Sequence, residues 1–225
     1  ATSTNYNTAL GYQALKGSAT ITSVSGQNTA VGYRALLSNT SGRNNTAVGY
    51  DALKSMTSGV QNNAFGSSAL SALTTGASNL AMGASAMSSL TSGNNNFALG
   101  PFSFQYLTTG SSNIAIGSSA GRESSSAPEL DRRSLTDTKM IFIGESVSRD
   151  PSIASTTALT NGIAIGANST VARSNAMVLG GIGSMALDVV IGTTSPWAKL
   201  SIMNTYGNQT PLFDIASSTS VAYAT

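Results

Sequence analysis

The 225-residue chain contains no cysteine and no histidine. Without thiols it has neither disulfides nor thiolate metal sites, and a cysteine-free chain suits an extracellular setting as well as a cytosolic one. Without imidazole, His-dependent triads and His-ligated metals are excluded. Charge is scarce: 9% of residues are charged, against about 25% in ordinary soluble proteins. A net charge of +2 is too small to imply a polyanionic partner, so no nucleic-acid-binding basic stripe is expected. No apolar run approaches the ~20 residues that span a bilayer, so no membrane span is expected in this segment. Ser, Lys and carboxylates remain for chemistry, but no motif gathers them. GGIGSM (180–185) opens like a calcium-binding Gly-Gly-x-Gly-x-Asp turn, yet Met185 stands where the Asp is needed. No phosphate-binding loop with its lysine is present. The chain is therefore read as non-enzymatic, with no cofactor and no metal.

What is present instead is 40% hydrophobic content, 23 glycines and a repeat. Low charge with that much apolar content argues for real burial rather than charge-driven disorder. The anchor Asn-x-Ala-apolar-Gly occurs as NTALG (7–11), NTAVG (28–32), NTAVG (45–49), NNAFG (62–66), NLAMG (79–83), NFALG (96–100) and NIAIG (113–117). From Gly32 to Gly117 every step is 17 residues, and the first step, from Gly11 to Gly32, is 21. A fixed period of this length means stacked coils, because one unit cannot bury its own apolar face.

Each anchor is short and alternating, which predicts a strand of about five residues. Its small Ala points to a crowded interior. After the Gly, apolar residues fall three apart (Leu53/Met56, Leu70/Leu73, Met87/Leu90, Phe104/Leu107), a spacing that predicts one or two helical turns. The next glycine (Gly59, Gly76, Gly93, Gly110) is then expected to cap that turn with positive φ. Downstream, NGIAIG (161–166) and NAMVLG (175–180) lie 14 apart, leaving room only for two strands and tight turns. A last anchor, DVVIG (188–192), precedes Pro196, which ends the pattern, and KLSI, which reads as a new strand. Between the blocks, 118–151 holds six of the nine acidic residues and five of the eleven bases around KMIFIG (139–144), one more anchor strand.

Four regions follow: 1–117, a solenoid of mainly 17-residue coils; 118–151, a charged insertion with one coil strand; 152–192, a solenoid of about 14-residue coils; and 193–225, a C-terminal connector strand region. Both ends lie in Ser/Thr/Ala-rich text, so the chain is read as a piece of a longer one, with a downstream segment missing. Ten anchors at ~4.8 Å per coil predict a rod of roughly 45–50 Å.

NTAVGYxAL…TSG repeats, followed by NGIAIGANSTVARSNAMVLGG and VVIGTTSPWAKL, resemble phage tail-fibre proteins of the type found ahead of a self-cleaving C-terminal trimerisation chaperone. The 14-residue section is similar to the heads of trimeric autotransporter adhesins. The resemblance covers 7–201. It implies an all-β-dominated parallel β-solenoid or β-roll assembled as a homotrimer, left-handed in the adhesin heads. It also implies an extracellular place, on a virion tail fibre or a bacterial cell surface, and attachment to a host or surface. Its 17-residue coils are longer than the adhesin repeat, and the chaperone itself is absent. The expected partners are the chain itself and, at a binding site, surface glycans or a host receptor. A passive stalk or filament subunit without its own receptor site is the alternative.

Several columns are candidates for function. Asn28, Asn45, Asn62, Asn79, Asn96 and Asn113 are read as a stacked amide ladder; the other reading is a row of amides for sugar hydroxyls. Tyr12, Tyr33 and Tyr50 follow the anchor Gly in the first three coils. Exposed, they form an aromatic strip suited to glycans; buried, they fill a wide end of the solenoid. Thr40, Thr57, Thr74, Thr91 and Thr108 either serve local turns or form an ice-binding array. The mixed charges Arg122, Glu123, Glu129, Asp131, Arg132, Arg133, Asp137 and Lys139 are read as an inter-subunit collar, with a receptor-facing loop as the alternative.

Overall fold

The computed structural model describes residues 6–17, 26–122, 136–150 and 157–180. Twelve short strands are seen among the described residues: β1 (Thr8–Leu10), β2 (Thr29–Val31), β3 (Thr46–Val48), β4 (Asn63–Phe65), β5 (Leu80–Met82), β6 (Phe97–Leu99), β7 (Ile114–Ile116), β8 (Ile141–Ile143), β9 (Ser148–Arg149), β10 (Ile163–Ile165), β11 (Thr170–Val171) and β12 (Met177–Leu179). Ten of them form one sheet in the order β1-β2-β3-β4-β5-β6-β7-β8-β10-β12, and β9 pairs with β11 in a second. Every pairing is parallel. The chain is thus a parallel β-solenoid whose coils stack in register. The repeat sets that register, because a one-residue slip would turn every inward Ala outward. KMIFIG supplies β8, and the 14-residue stretch supplies β10, β11 and β12. The DVVIG anchor, Pro196 and KLSI lie outside the described residues.

The Ala column runs Ala30↔Ala47↔Ala64↔Ala81↔Ala98↔Ala115 and points inward, fully or almost fully buried. Leu53, Met56 and their equivalents pack against it from the turn side. At the next coil Phe142 takes the Ala position. Its ring meets Phe104 edge-on at 5.8 Å, filling the space where the coil changes.

Among the described residues there is no helix, so the expected helical turns are corrected. Asp51 (φ 55°) and Leu53 (φ 49°) are left-handed with ordinary residues between them, and the same alternation recurs in each 17-residue coil. The N–H of Leu53 donates to Ala69 O one coil on (3.1 Å), whereas the N–H groups of Lys54 and Met56 donate to Asp51 O (3.3 Å) and Leu53 O (3.2 Å). A helix would keep all of these bonds within one coil. Here alternate amides reach the neighbouring coil, so the apolar spacing of three reflects linked turns. Each left-handed non-glycine residue costs about 1–2 kcal/mol, offset by the pairing of otherwise orphaned backbone groups. The position of Leu15, Leu36, Leu53, Leu70, Met87 and Phe104 is never β-branched, which fits a φ that β-branched residues resist.

The glycine expectation is corrected too. Positive φ belongs to the anchor glycines, such as Gly66 (φ +135°), and not to Gly59, Gly76, Gly93 or Gly110. Those four are glycine for lack of room: a Cβ on Gly59 would lie 2.8 Å from Gly76 O and 2.7 Å from Met56 Sδ. Among the described residues no helix is long and apolar enough to cross a membrane.

Candidate functional site

The six asparagines form one buried column through the core. Asn45 shows the unit: its N–H and its Nδ2 both donate to Asn28 Oδ1 at 3.0 Å, and Nδ2 also donates to Gly59 O at 2.9 Å. The same three bonds recur at Asn62, Asn79 and Asn96. The column ends where Met140 N–H donates to Asn113 Oδ1 at 2.9 Å. These amides are committed inside the protein, where no ligand meets them. The hydroxyls of Thr40, Thr57, Thr74 and Thr91 are committed as well, each donating to the carbonyl of the Thr one coil on, from Thr40 to Thr57 O (2.9 Å) through Thr91 to Thr108 O (3.0 Å).

The tyrosines are exposed and stacked. Tyr12 and Tyr33 lie 5.6 Å apart at 14°, and Tyr33 and Tyr50 lie 5.1 Å apart at 9°. Tyr33 therefore has a ring on each side, and the free ring faces are at the two ends of the stack. The Arg34 guanidinium sits 4.8 Å from the Tyr33 centroid and 5.8 Å from that of Tyr50. It forks onto Asp51, with Nε to Oδ1 at 2.8 Å and Nη2 to Oδ2 at 2.7 Å, and Lys54 Nζ joins Oδ2 at 3.2 Å. Hydrogen bonding to Asp51 raises the Arg34 pKa further, so this cation stays charged and occupied.

No family model, curated protein or solved structure matches this chain. Its own geometry therefore carries the reading of the remaining columns. Of the residues read as a collar, Glu123, Glu129, Asp131, Arg132 and Arg133 lie outside the described residues. Arg122 folds over the rings of Phe102 (5.2 Å) and Tyr106 (5.7 Å). Lys139 is exposed, with its N–H on Ser111 O at 3.0 Å. Asp137 is buried and bound within its own chain: its Oδ1 accepts from Leu159 N–H at 2.7 Å and from Arg149 Nη1 at 3.3 Å. Burial raises its carboxyl pKa, against the opposing pull of Leu159 N–H and Arg149. The Leu159 bond fastens one coil to the next, and the Arg149 bond closes the coil on itself.

Sequence reading overlooked two features. One is the Phe102–Tyr106–Arg122 cluster, signalled by PFSFQYL standing where the preceding coil has ASAMSSL. The other is the outward face of the ten-stranded sheet. The residues flanking the central residue of each strand point out, and the one after it is apolar in all ten strands of the sheet: Leu10, Val31, Val48, Phe65, Met82, Leu99, Ile116, Ile143, Ile165 and Leu179. Phe65, Met82 and Leu99 are each more than a third exposed. The signal lies in the alternation of the anchor, which places the apolar residue beside each inward Ala on the outer face.

Proposed function

We propose that the chain is a structural and adhesive fibre segment, a homotrimer of β-solenoids that carries attachment to a host or surface. The observation that carries this reading is the outward row of ten apolar side chains on one sheet face. From Leu80 onward the position before the inward residue is apolar as well (Leu80, Phe97, Ile114, Ile141, Ile163, Met177). A row this long exceeds the scattered apolar surface of monomers. It carries no charge on either outward position, so an oppositely charged partner is not what it fits. The occupant that matches it in length, flatness and coil spacing is a further copy of the same solenoid, and closed rotational symmetry lets each copy use the same patch.

The family resemblance supports three copies and an extracellular place, on a virion tail fibre or a bacterial surface. Stacked coils give the fibre stiffness, and the exceptional side chains on its turns give it a surface to recognise with. A passive stalk is the second reading, favoured by the deep commitment of the Asn and Thr columns to stacking. Sedimentation velocity on the purified chain tests assembly: a trimer is expected, and a monomer at micromolar concentration overturns the proposal. Attachment of the labelled chain to bacterial cells separates the adhesive fibre from the passive stalk.

A further inference from the structure

Ten of the twelve large hydrophobic side chains that are exposed among the described residues fall in three neighbouring columns of the solenoid. One column is the residue before the centre of each strand and one is the residue after it. The third follows the anchor glycine, where Tyr12, Tyr33 and Tyr50 stand. The column after the centre is apolar throughout, but its two neighbours exchange character along the rod. Before the centre stand Thr8, Thr29, Thr46 and Asn63 in β1 to β4, and apolar residues from β5 onward. The glycine-following column does the reverse: it is Tyr in the coils of β1 to β3, has no aromatic afterwards, and carries an exposed Glu145 at the coil of β8. The coil of β4 lies at the exchange, and there the column after the centre has its bulkiest member, Phe65. The apolar strip is therefore continuous, and it crosses the solenoid obliquely.

The tyrosines offer this strip an edge rather than a face. Tyr33 has a ring on each side, at 5.6 and 5.1 Å, and the Arg34 guanidinium 4.8 Å from its centroid. Its 39% exposure is therefore ring edge and phenol. A sugar stacks on an aromatic face, and Tyr33 has no free face to give. A packed ring with its phenol at the wet margin is what Tyr contributes between proteins. Tyr12 and Tyr50 are 67% and 51% exposed. Together the three rings offer roughly 300 Å², a large share of the ~800 Å² that a chain gives to one partner. Arg34, the cation beside them, is forked onto Asp51 of its own chain, so a charged partner finds little to engage.

We infer that a further copy of this chain covers the tyrosine stack. Contact between copies moves from the tyrosine column in the coils of β1 to β3, through Phe65, to the two strand columns from β5 onward. A contact running straight along the strand columns would take three threonine hydroxyls and the Asn63 amide out of water. One running straight along the tyrosine column would bury the Glu145 carboxylate. The oblique path does neither, and both burials are costly. This inference rests on the fibre reading and assigns the tyrosines to assembly rather than to a glycan.

The test is sedimentation equilibrium of wild type, Y50D and T46D, with circular dichroism to check the fold. Tyr50 and Thr46 share a coil, so the pair separates an oblique contact from a straight one. Y50D should weaken association about tenfold or more, and T46D by less than about threefold. Y50D assembling as wild type overturns the inference, and so does T46D weakening as much as Y50D; both leave the fibre itself standing. Nitration by tetranitromethane, read by peptide mass spectrometry, is the second measurement and needs no change at the tyrosines. Tyr33 and Tyr50 should react about tenfold more slowly in the assembled wild type than in the L99D protomer, with Tyr6, 71% exposed, as the internal reference. Equal rates overturn the inference alone. A monomeric wild type overturns the fibre reading and this inference with it.

Discussion

Asn45 Oδ1 accepts two hydrogen bonds from Asn62, one from its backbone N–H at 2.9 Å and one from its side-chain amide at 3.2 Å. One oxygen thus joins consecutive coils through both main chain and side chain. Asn62 passes the arrangement on, accepting from Asn79 N–H at 3.1 Å and from Asn79 Nδ2 at 2.9 Å. Only a primary amide has the oxygen to receive and the NH₂ to give at the same place.

Replacing Asn62 tests that requirement. N62A leaves Asn45 Oδ1 and Gly76 O each short of a bond and opens a small cavity, for a loss of about 3 kcal/mol. N62D keeps the size but turns both former donor contacts into acceptor against acceptor, and the loss is expected to be larger at pH 7 than at pH 3. Urea unfolding followed by circular dichroism measures both. A loss below about 0.5 kcal/mol for N62A would show that the column is dispensable.

Gly66 tests the close approach of coils. Its φ of +135° disfavours any side chain, and an added Cβ would lie 2.5 Å from Gly83 O. Because the obstacle is backbone, it cannot swing aside. G66A should destabilise by more than about 3 kcal/mol, read as a lowered thermal midpoint. Substitution of Ser67, exposed and next in sequence, should change it little.

Leu99 tests the outward face. It is 39% exposed on β6, amid the row of apolar residues. L99D puts a charge on that row without touching the inward Ala98. Sedimentation should shift toward the protomer while the circular dichroism spectrum keeps its β signature. An unchanged assembly would remove this face from the interface.

Asp137 gives a pH dependence whose sign can be worked out. Burial holds its folded pKa above the ordinary value of 3.8. The folded chain then takes up this proton more readily than the unfolded chain. Its contribution to stability is fully present below about pH 4 and is lost as pH rises through the folded pKa. D137N lacks that titration, so the stability advantage of wild type over D137N should be greatest near pH 3.5 and smaller at pH 7. Thermal midpoints of both proteins across that range check it, and a difference that grows with pH would contradict it.

How much was legible in advance depends on what each residue's role rests on. The Asn, Ala and Gly of NTAVG disclosed the coil length, the strand and its register, because a period held over six anchors has few structural causes. The turns differ from the expected helix for a definite reason. Spacing of three is shared by a helix and by linked turns, and Leu53 at positive φ follows no local preference that a sequence displays. For the tyrosines the sequence allows both core and surface, because a residue just after the anchor Gly can point either way until the turn is built. In PFSFQYL nothing in the letters parts the exposed Phe102 from the buried Phe104, because that follows from the turn.

By itself, then, the sequence determined that the chain stacks, at what period, and with which small residues facing inward, since those follow from repetition and from the size of Ala and Gly. Only the tertiary structure decided which way the intervening residues turn. Alternate amides of each turn reach across to the next coil, and that pairing sets φ, which in turn decides what is buried with Leu53 and what is left outside with Tyr50.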